Sequence, residues 1–225
     1  DQTIWVVFNG EIYNYRELRS ELEARGHLFR TNCDTETIVH GYEEWEVDCV
    51  QHLRGMFAFA LWDVRQQRLF LARDRLGKKP LYYYLDHERL VFGSEMKAIL
   101  TQALIPRRLN HTALDLFFSL GYVPAPHTIL EGIHKLPAGF MLTVDRDSTV
   151  QRQRYWDIIP QATRFTSMNE ACEELRGLLS QAVQRRLVAD VPVGMLLSGG
   201  IDSSTVVALA AQHTSYLKTF SVGFS

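Results

Sequence analysis

An α+β region followed by a parallel α/β unit is the fold class this sequence predicts, and three observations carry the prediction. Short apolar runs over 56–64, 68–74, 80–85 and 89–94 follow one another with polar turns between them, the pattern of antiparallel strands. Helical periodicities over 14–26, 35–45 and 111–120 lie beside that group. From residue 168 onward the order becomes helix, strand, Gly-rich loop, helix, strand, which indicates a parallel unit.

Taken in chain order, "TIWVVF" (3–8) reads as a buried strand that runs straight into the turn dipeptide Asn9-Gly10. Asn14 can cap a helix with Glu17 three residues on; Tyr15, Leu18 and Leu22 share a face, and Gly26 stops it. A second helix starts at Thr35, with Ile38, Tyr42 and Trp45 on one side. Four strands of one largely antiparallel sheet follow, with turns at "RQQR", "DRLGKK" and Asp86 to Glu88. Helices are expected over 94–100 and 111–120. Between 121 and 160 the chain turns rich in Pro and Gly and carries one hairpin with its turn at Asp145 to Ser148, a composition shift that marks a boundary. The expected division is therefore 1–120, a connecting segment 121–166, and 167–225. The last part comprises an amphipathic helix with Leu175, Leu178, Leu179, Val183 and Leu187, a strand over 193–198, a helix from Ser204, and a strand over 218–224.

Twenty-four basic and 26 acidic residues are interspersed to a net charge of −2, so neither a nucleic-acid footprint nor a membrane-surface patch is expected. The longest apolar run, Met56 to Trp62, is far short of a membrane span. Cys33, Cys49 and Cys172 are widely spaced, which argues against a disulfide framework or a zinc site and favours a reducing, cytoplasmic setting. The eight histidines show no spacing suited to a metal, and surface or capping roles are expected for them. The opening "DQTIWVVF" has neither a start methionine nor a signal-peptide pattern and reads as a cut end.

"LLSGGIDSS" (196–204) places Ser198, Gly199, Gly200, Ser203 and Ser204 where an apolar strand ends and a helix begins, the context in which backbone N–H groups cradle phosphates. The spacing is neither a Walker loop nor a dinucleotide fingerprint. Asp202 would repel phosphate unless a cation such as Mg²⁺ lies between them. Alternatively, Asp202 caps the helix and the glycines make a tight turn.

"SGGIDSS" resembles the pyrophosphate loop of the ATP pyrophosphatase group. "FNGEIYN" (8–14), "RTNCDTE" (30–36) and "RGMFAFALWD" (54–63) resemble the glutaminase domain of class II amidotransferases. Together, and with "ARDRLGKKPLYY" and "SEMKAIL", the whole chain is similar to the glutamine-hydrolysing asparagine synthetases. The resemblance implies an N-terminal-nucleophile-type glutaminase sandwich, truncated at its N-terminus, joined to the start of a parallel-sheet ATP pyrophosphatase domain. It implies that the Asn9 side chain and the Gly10 N–H form an oxyanion hole and that Glu11 and Asp34 hold the glutamine α-amino end. Read without it, Asn9-Gly10 is a hairpin turn and Glu11 a solvated acid. It further implies ATP binding by Leu196, Ser198, Gly199, Gly200, Ile201, Asp202, Ser203, Ser204, Val222 and Gly223, with Asp202 on Mg²⁺.

The implied reaction takes aspartate, glutamine and ATP to asparagine, glutamate, AMP and pyrophosphate, through released ammonia and an acyl-adenylate. The small-molecule partners are thus glutamine, ATP and aspartate, and the family allows a homodimer. The family's nucleophile is a cysteine at the mature N-terminus, whereas this sequence opens on Asp1; none of the three cysteines is a credible substitute. The family's later "SGEGSDE"-like segment does not occur either, so an internal fragment, inactive by itself, is expected. Alternative readings are an amidotransferase with another carboxylate acceptor, a β-lactam synthetase-like ligase, and an inactive nucleotide-binding module.

Overall fold

The computed structural model describes residues 3–160 and 165–223. The chain divides into two compact units, Asp1–Ile158 and Ile159–Ser225. The first contains β1 (Ile4–Ile12), α1 (Tyr15–Ala24), α2 (Asp34–Trp45), α3 (Cys49–His52), β2 (Gly55–Asp63), β3 (Arg68–Arg73), β4 (Tyr82–Leu85), β5 (Leu90–Gly93), α4 (Met96–Ile99), α5 (His111–Leu120), β6 (Ile133–Lys135), β7 (Phe140–Val144) and β8 (Val150–Arg154). The second contains α6 (Met168–Arg186), β9 (Gly194–Leu196), α7 (Ile201–Ala210) and β10 (Lys218–Phe220). No helix among the described residues is long and apolar enough to cross a membrane.

The strands of the first unit form two sheets rather than one: β1-β2-β3-β7-β8, and β5-β4-β6. Period-2 alternation explains the layering. Phe57, Phe59 and Leu61 point to one face of the larger sheet, where they bury Leu18 of α1, Ile38 and Tyr42 of α2, and Val50 of α3. Each fully buried side chain of this size contributes roughly 1.5–3 kcal/mol. Ala58, Ala60, Leu71 and Leu142 point to the opposite face and pack on Tyr83 of the smaller sheet and on Leu81 and Leu136, which flank its strands. The far side of that sheet, through Tyr82, Tyr84 and Ile133, covers Ile99 and Met96 of α4. The result is a helix, sheet, sheet, helix sandwich.

Several local expectations give way to long-range contacts. Asn14 precedes α1 but makes no side-chain cap; it is buried, donating to the His52 carbonyl at 3.0 Å and accepting the Arg54 N–H at 2.8 Å. Helix α2 begins at Asp34, one residue before Thr35. The hairpin β7–β8, expected inside a connecting segment, is hydrogen-bonded into the larger sheet through β3, and the boundary between units falls at 158/159. Its turn and one strand are polar, so composition set it apart, while Met141 and Leu142 are core. Residues 161–164 of that segment lie outside the described residues.

In the second unit β9 and β10 pair in parallel. Helix α7 starts at Ile201, three residues before the expected Ser204. The expected strand over 218–224 ends at Phe220, and Phe224 lies outside the described residues. Val183, Leu209 and Ala210 form its core, with Leu187, Met195 and Leu217 against them. Leu175 and Leu178, on the apolar stripe of α6, are exposed.

Candidate functional site

The dipeptide Asn9-Gly10 lies inside β1, where it makes no turn. The register with β2 is one-to-one, pairing Asn9 with Ala58 and Gly10 with Phe57. Val64 donates to the Thr3 carbonyl at 2.8 Å and Tyr13 to the Arg54 carbonyl at 2.9 Å, so the hydrogen-bonded pairs fall on the odd residues of β1. The N–H groups of Phe8, Gly10 and Ile12 therefore point away from β2, toward the outer side of an edge strand. Gly10 sits in a non-hydrogen-bonded pair, where backbones approach most closely. A Cβ there would lie 2.1 Å from the Met56 carbonyl oxygen, which excludes every residue but glycine.

Asp34 comes to the same edge from α2. Its carboxylate accepts the Ile12 N–H at 2.9 Å, and its other oxygen faces the Cys33 thiol at 3.5 Å and the Thr35 hydroxyl at 3.4 Å. Two residues of strand, about 7 Å, separate the Ile12 amide from that of Gly10. Asn9 and Glu11 share the face of β1 that carries Trp5 and Val7, both exposed. The Asn9 amide donates to the Ser94 hydroxyl at 3.3 Å, just beyond β5. The sequence reading misses Ser94: "SEMKAIL" reads as a helix and contributes to the resemblance, with no role for its serine. Thus Asn9, Gly10 and Asp34 gather at one strand edge, with Glu11 on the adjoining position.

The segment "DRLGKK" also acquires a physical account. The buried Asp74 carboxylate accepts four backbone N–H groups, those of Leu76 and Lys78 on one oxygen and those of Lys79 and Phe57 on the other, at 2.9–3.2 Å. The Arg73 guanidinium donates at 2.7 Å to the carbonyls of Gly77, Lys79 and Leu136. Burial lowers the Arg73 pKa, partly offset by the neighbouring Asp74 charge. This pair locks the connection between the two sheets behind β2.

In the second unit, the strand-to-helix loop is closed by short bonds. Leu197 donates to the Phe220 carbonyl at 2.8 Å, and the Ser221 hydroxyl to the Leu197 carbonyl at 2.6 Å. Gly199 takes φ +82°, a left-handed conformation natural to glycine, with open space around it. Gly200 is the N-cap of α7 and has no side chain to offer; the first intrahelical bond is Ser204 N–H to the Gly200 carbonyl at 3.0 Å. The N–H groups of Ile201, Asp202 and Ser203 therefore have no intrahelical acceptor. The Ser198 and Ser203 hydroxyls meet at 3.1 Å. Asp202 lies in the first helical turn, so the capping role considered for it falls to Gly200. Leu196, Ile201 and Val222 are exposed around the loop, and Gly223 follows β10 as irregular backbone.

Comparison with known proteins agrees with this division. Residues 1–156 match the family model described as a glutamine amidotransferase domain, and residues 174–225 match asparagine synthase. The chain is 45% identical over 213 residues to asparagine synthetase [glutamine-hydrolyzing] 3 of Bacillus subtilis, covering 94% of this chain and 34% of that protein. It is 41% identical over 225 residues to a putative asparagine synthetase [glutamine-hydrolyzing] 2 of Methanocaldococcus jannaschii, covering 98% and 43%. With asparagine synthetase [glutamine-hydrolyzing] 1 of B. subtilis it shares 39% identity, covering 100% and 35%. The chain thus spans roughly a third to two-fifths of the length of these relatives. With a sandwich matched over 156 residues, the chain belongs to the glutamine amidotransferase domain family, and the part after it is similar to asparagine synthase.

Proposed function

We propose that this chain supplies the glutamine-binding unit and the nucleotide loop of a glutamine-dependent, ATP-consuming amide ligase that makes asparagine from aspartate. The carrying observation is the pairing, in one chain, of a β1 edge bearing Gly10 and Asp34 with a Gly-rich loop opening a helix. The proposed parts are a glutaminase domain that includes the β7–β8 hairpin and ends near the 158/159 boundary, and the beginning of a synthetase domain after it. A cytoplasmic setting and a homodimer belong to the same proposal.

Attack on a side-chain amide turns its carbonyl into an oxyanion, which is stabilised by donors already in place. The outward Gly10 N–H is one such donor, and the Asn9 amide becomes the second by exchanging its Ser94 partner for the substrate. Asp34, about two strand residues away, supplies the negative charge that an α-ammonium group requires, with Glu11 beside it. Cys49 is no nucleophile: burial pushes its thiol pKa strongly upward.

At the other site, the N–H groups of Ile201, Asp202 and Ser203 and the hydroxyls of Ser198 and Ser204 fit a phosphate chain, because no side chain at Gly199 or Gly200 blocks its approach. Leu196 and Val222 offer apolar surface to a base, next to Gly223. Asp202 would hold Mg²⁺, which when bound offsets the repulsion between that carboxylate and the phosphates.

The test uses the full-length protein: pyrophosphate release from ATP with glutamine, with and without aspartate. Aspartate-dependent release with asparagine formed is expected. Release that ignores aspartate would sink the aspartate assignment and favour another carboxylate acceptor. No release under any acceptor would sink the ligase reading.

A further inference from the structure

Away from both sites, two histidines that the sequence leaves 13 positions apart meet beside α2. His27 follows α1, and His40 and Glu43 lie one turn apart on α2. The His27 Nδ1 and His40 Nδ1 atoms are 3.3 Å apart; Glu43 Oε2 lies 2.8 Å from the second and 3.4 Å from the first. Three ligand atoms held about 2.0–2.1 Å from one centre in tetrahedral arrangement are themselves about 3.3 Å apart. Two edges of the triangle have the length of a metal face, and the third, at 2.8 Å, is shorter and would open as a metal entered.

The outer nitrogens decide what fills it. His27 Nε2 lies 3.2 Å from Glu44 Oε2, and His40 Nε2 lies 3.5 Å from Glu36 Oε1. Glu44 favours the His27 tautomer with its proton on Nε2, which leaves that Nδ1 lone pair bare, whereas His40 has a carboxylate on each side, Glu36 at Nε2 and Glu43 at Nδ1. With the His40 proton on Nε2, two lone pairs and a carboxylate oxygen converge, an arrangement that a cation stabilises. Carboxylates behind metal-bound imidazoles do the same orienting work in known metal centres. The supports are themselves fixed: Glu36 accepts the Arg30 and Thr31 N–H groups at 2.7 Å, and Glu44 accepts Arg25 at 2.8 Å. Glu36, Glu43 and Glu44 outweigh the Arg25 guanidinium, which Glu21 also engages at 3.0 Å, so the surroundings of the rings are net negative and favour a cation.

We propose that His27, His40 and Glu43 bind one Zn²⁺ ion, with Glu44 and Glu36 orienting the two imidazoles. Two nitrogens and one oxygen suit zinc better than calcium or magnesium, which take all-oxygen shells. Both rings are half-buried, with side chains 15% exposed, which leaves water access to a fourth position. The ion would clip the residue following α1 to the middle of α2 and so hold the loop that leads to Asp34. This stands apart from the ligase reading and does not depend on it.

The experiment strips the purified chain with chelator, then titrates it with Zn²⁺ by calorimetry and with Co²⁺ by visible absorption. One equivalent should bind, with a ligand-field band and a rise in Tm. Glu43→Gln, at a partly exposed position with little packing, should weaken affinity at least about 100-fold while leaving the circular dichroism spectrum intact, and Glu44→Gln about 10- to 100-fold. Cys33→Ser should bind as the parent does. Absence of stoichiometric binding in the parent overturns the assignment. So does affinity unchanged in Glu43→Gln, or lost in Cys33→Ser.

Discussion

Replacing Asp74 by Ala removes one carboxylate and orphans four backbone N–H groups at once. Two of them, Leu76 and Lys78, belong to exposed residues and can turn to water; Phe57 and Lys79 lie further in, Phe57 within the core. A hydrogen bond to a charged acceptor contributes about 1.5–3 kcal/mol, and a donor rescued by water costs less than a buried one. Taking two losses near 1.5 kcal/mol and two of a few tenths to 1 kcal/mol gives about 3–5 kcal/mol, a large share of the stability of any domain. Asp74→Asn keeps the shape and one acceptor oxygen while setting its NH₂ against two donors, so about 2–3 kcal/mol is expected. All four tryptophans, Trp5, Trp45, Trp62 and Trp156, lie in the first unit, so fluorescence during urea unfolding reports on that unit alone. The midpoint should fall with the slope unchanged. A loss below about 1 kcal/mol for Asp74→Ala would refute the view that this carboxylate organises the turn.

Other outcomes follow from the same geometry. Gly10→Ala sets a methyl 2.1 Å from the Met56 carbonyl; the β1 edge must shift, and glutamine-dependent activity of the full-length protein should fall at least about 100-fold, since a 1 Å misplacement alone can cost that much. Ammonia-dependent activity should persist, and comparable loss of both would assign the effect to general unfolding. Of the three thiols, exposed Cys33 and Cys172 should react quickly with a disulfide reagent, while Cys49 reacts only in denaturant. Burial raises the pKa of Tyr42, helped by the Asp63 carboxylate 3.3 Å from its hydroxyl, and burial likewise raises that of Tyr155. A folded pKa above the unfolded value stabilises the fold below about pH 10 and loses that contribution as pH rises beyond it. Alkaline unfolding should therefore accompany the last phenolate absorbance to appear, and Tyr42→Phe should flatten the pH dependence of stability there.

What the sequence discloses tracks how local each cause is. Helix α5 occupies the residues its apolar periodicity marks, from the Asn110 cap, whose side chain accepts the Ala113 N–H at 3.1 Å, to Gly121. The strand segments are legible for the same reason, since alternation is a property of neighbours. Which strands pair is not local: "RLFLAR" and "PLYYYL" look alike, yet one enters the larger sheet and the other the smaller. Asn14 illustrates the contest inside a single residue. Its capping pattern with Glu17 is present, but its buried amide is spent on His52 and Arg54, some 40 positions away.

Gly10 and His40 show the two ways a site can escape local reading. Asn9-Gly10 carries a strong turn signal, and the chain passes through it as straight strand, because the glycine serves the backbone opposite it and Met56 is 46 positions away. Nothing near Gly10 in sequence encodes that need. The histidines carry no signal at all: no spacing rule joins His27 to His40, whose rings meet because α1 turns back onto α2. Their convergence with Glu43 is also the more demanding arrangement, since three polar atoms within 3.4 Å of one another need a cation or a proton between them. A shared proton would satisfy one edge of that triangle, and a dication satisfies all three. Helix α2 thus carries Asp34 at its start and His40 and Glu43 further along, and the cobalt titration separates the two ways of neutralising the cluster.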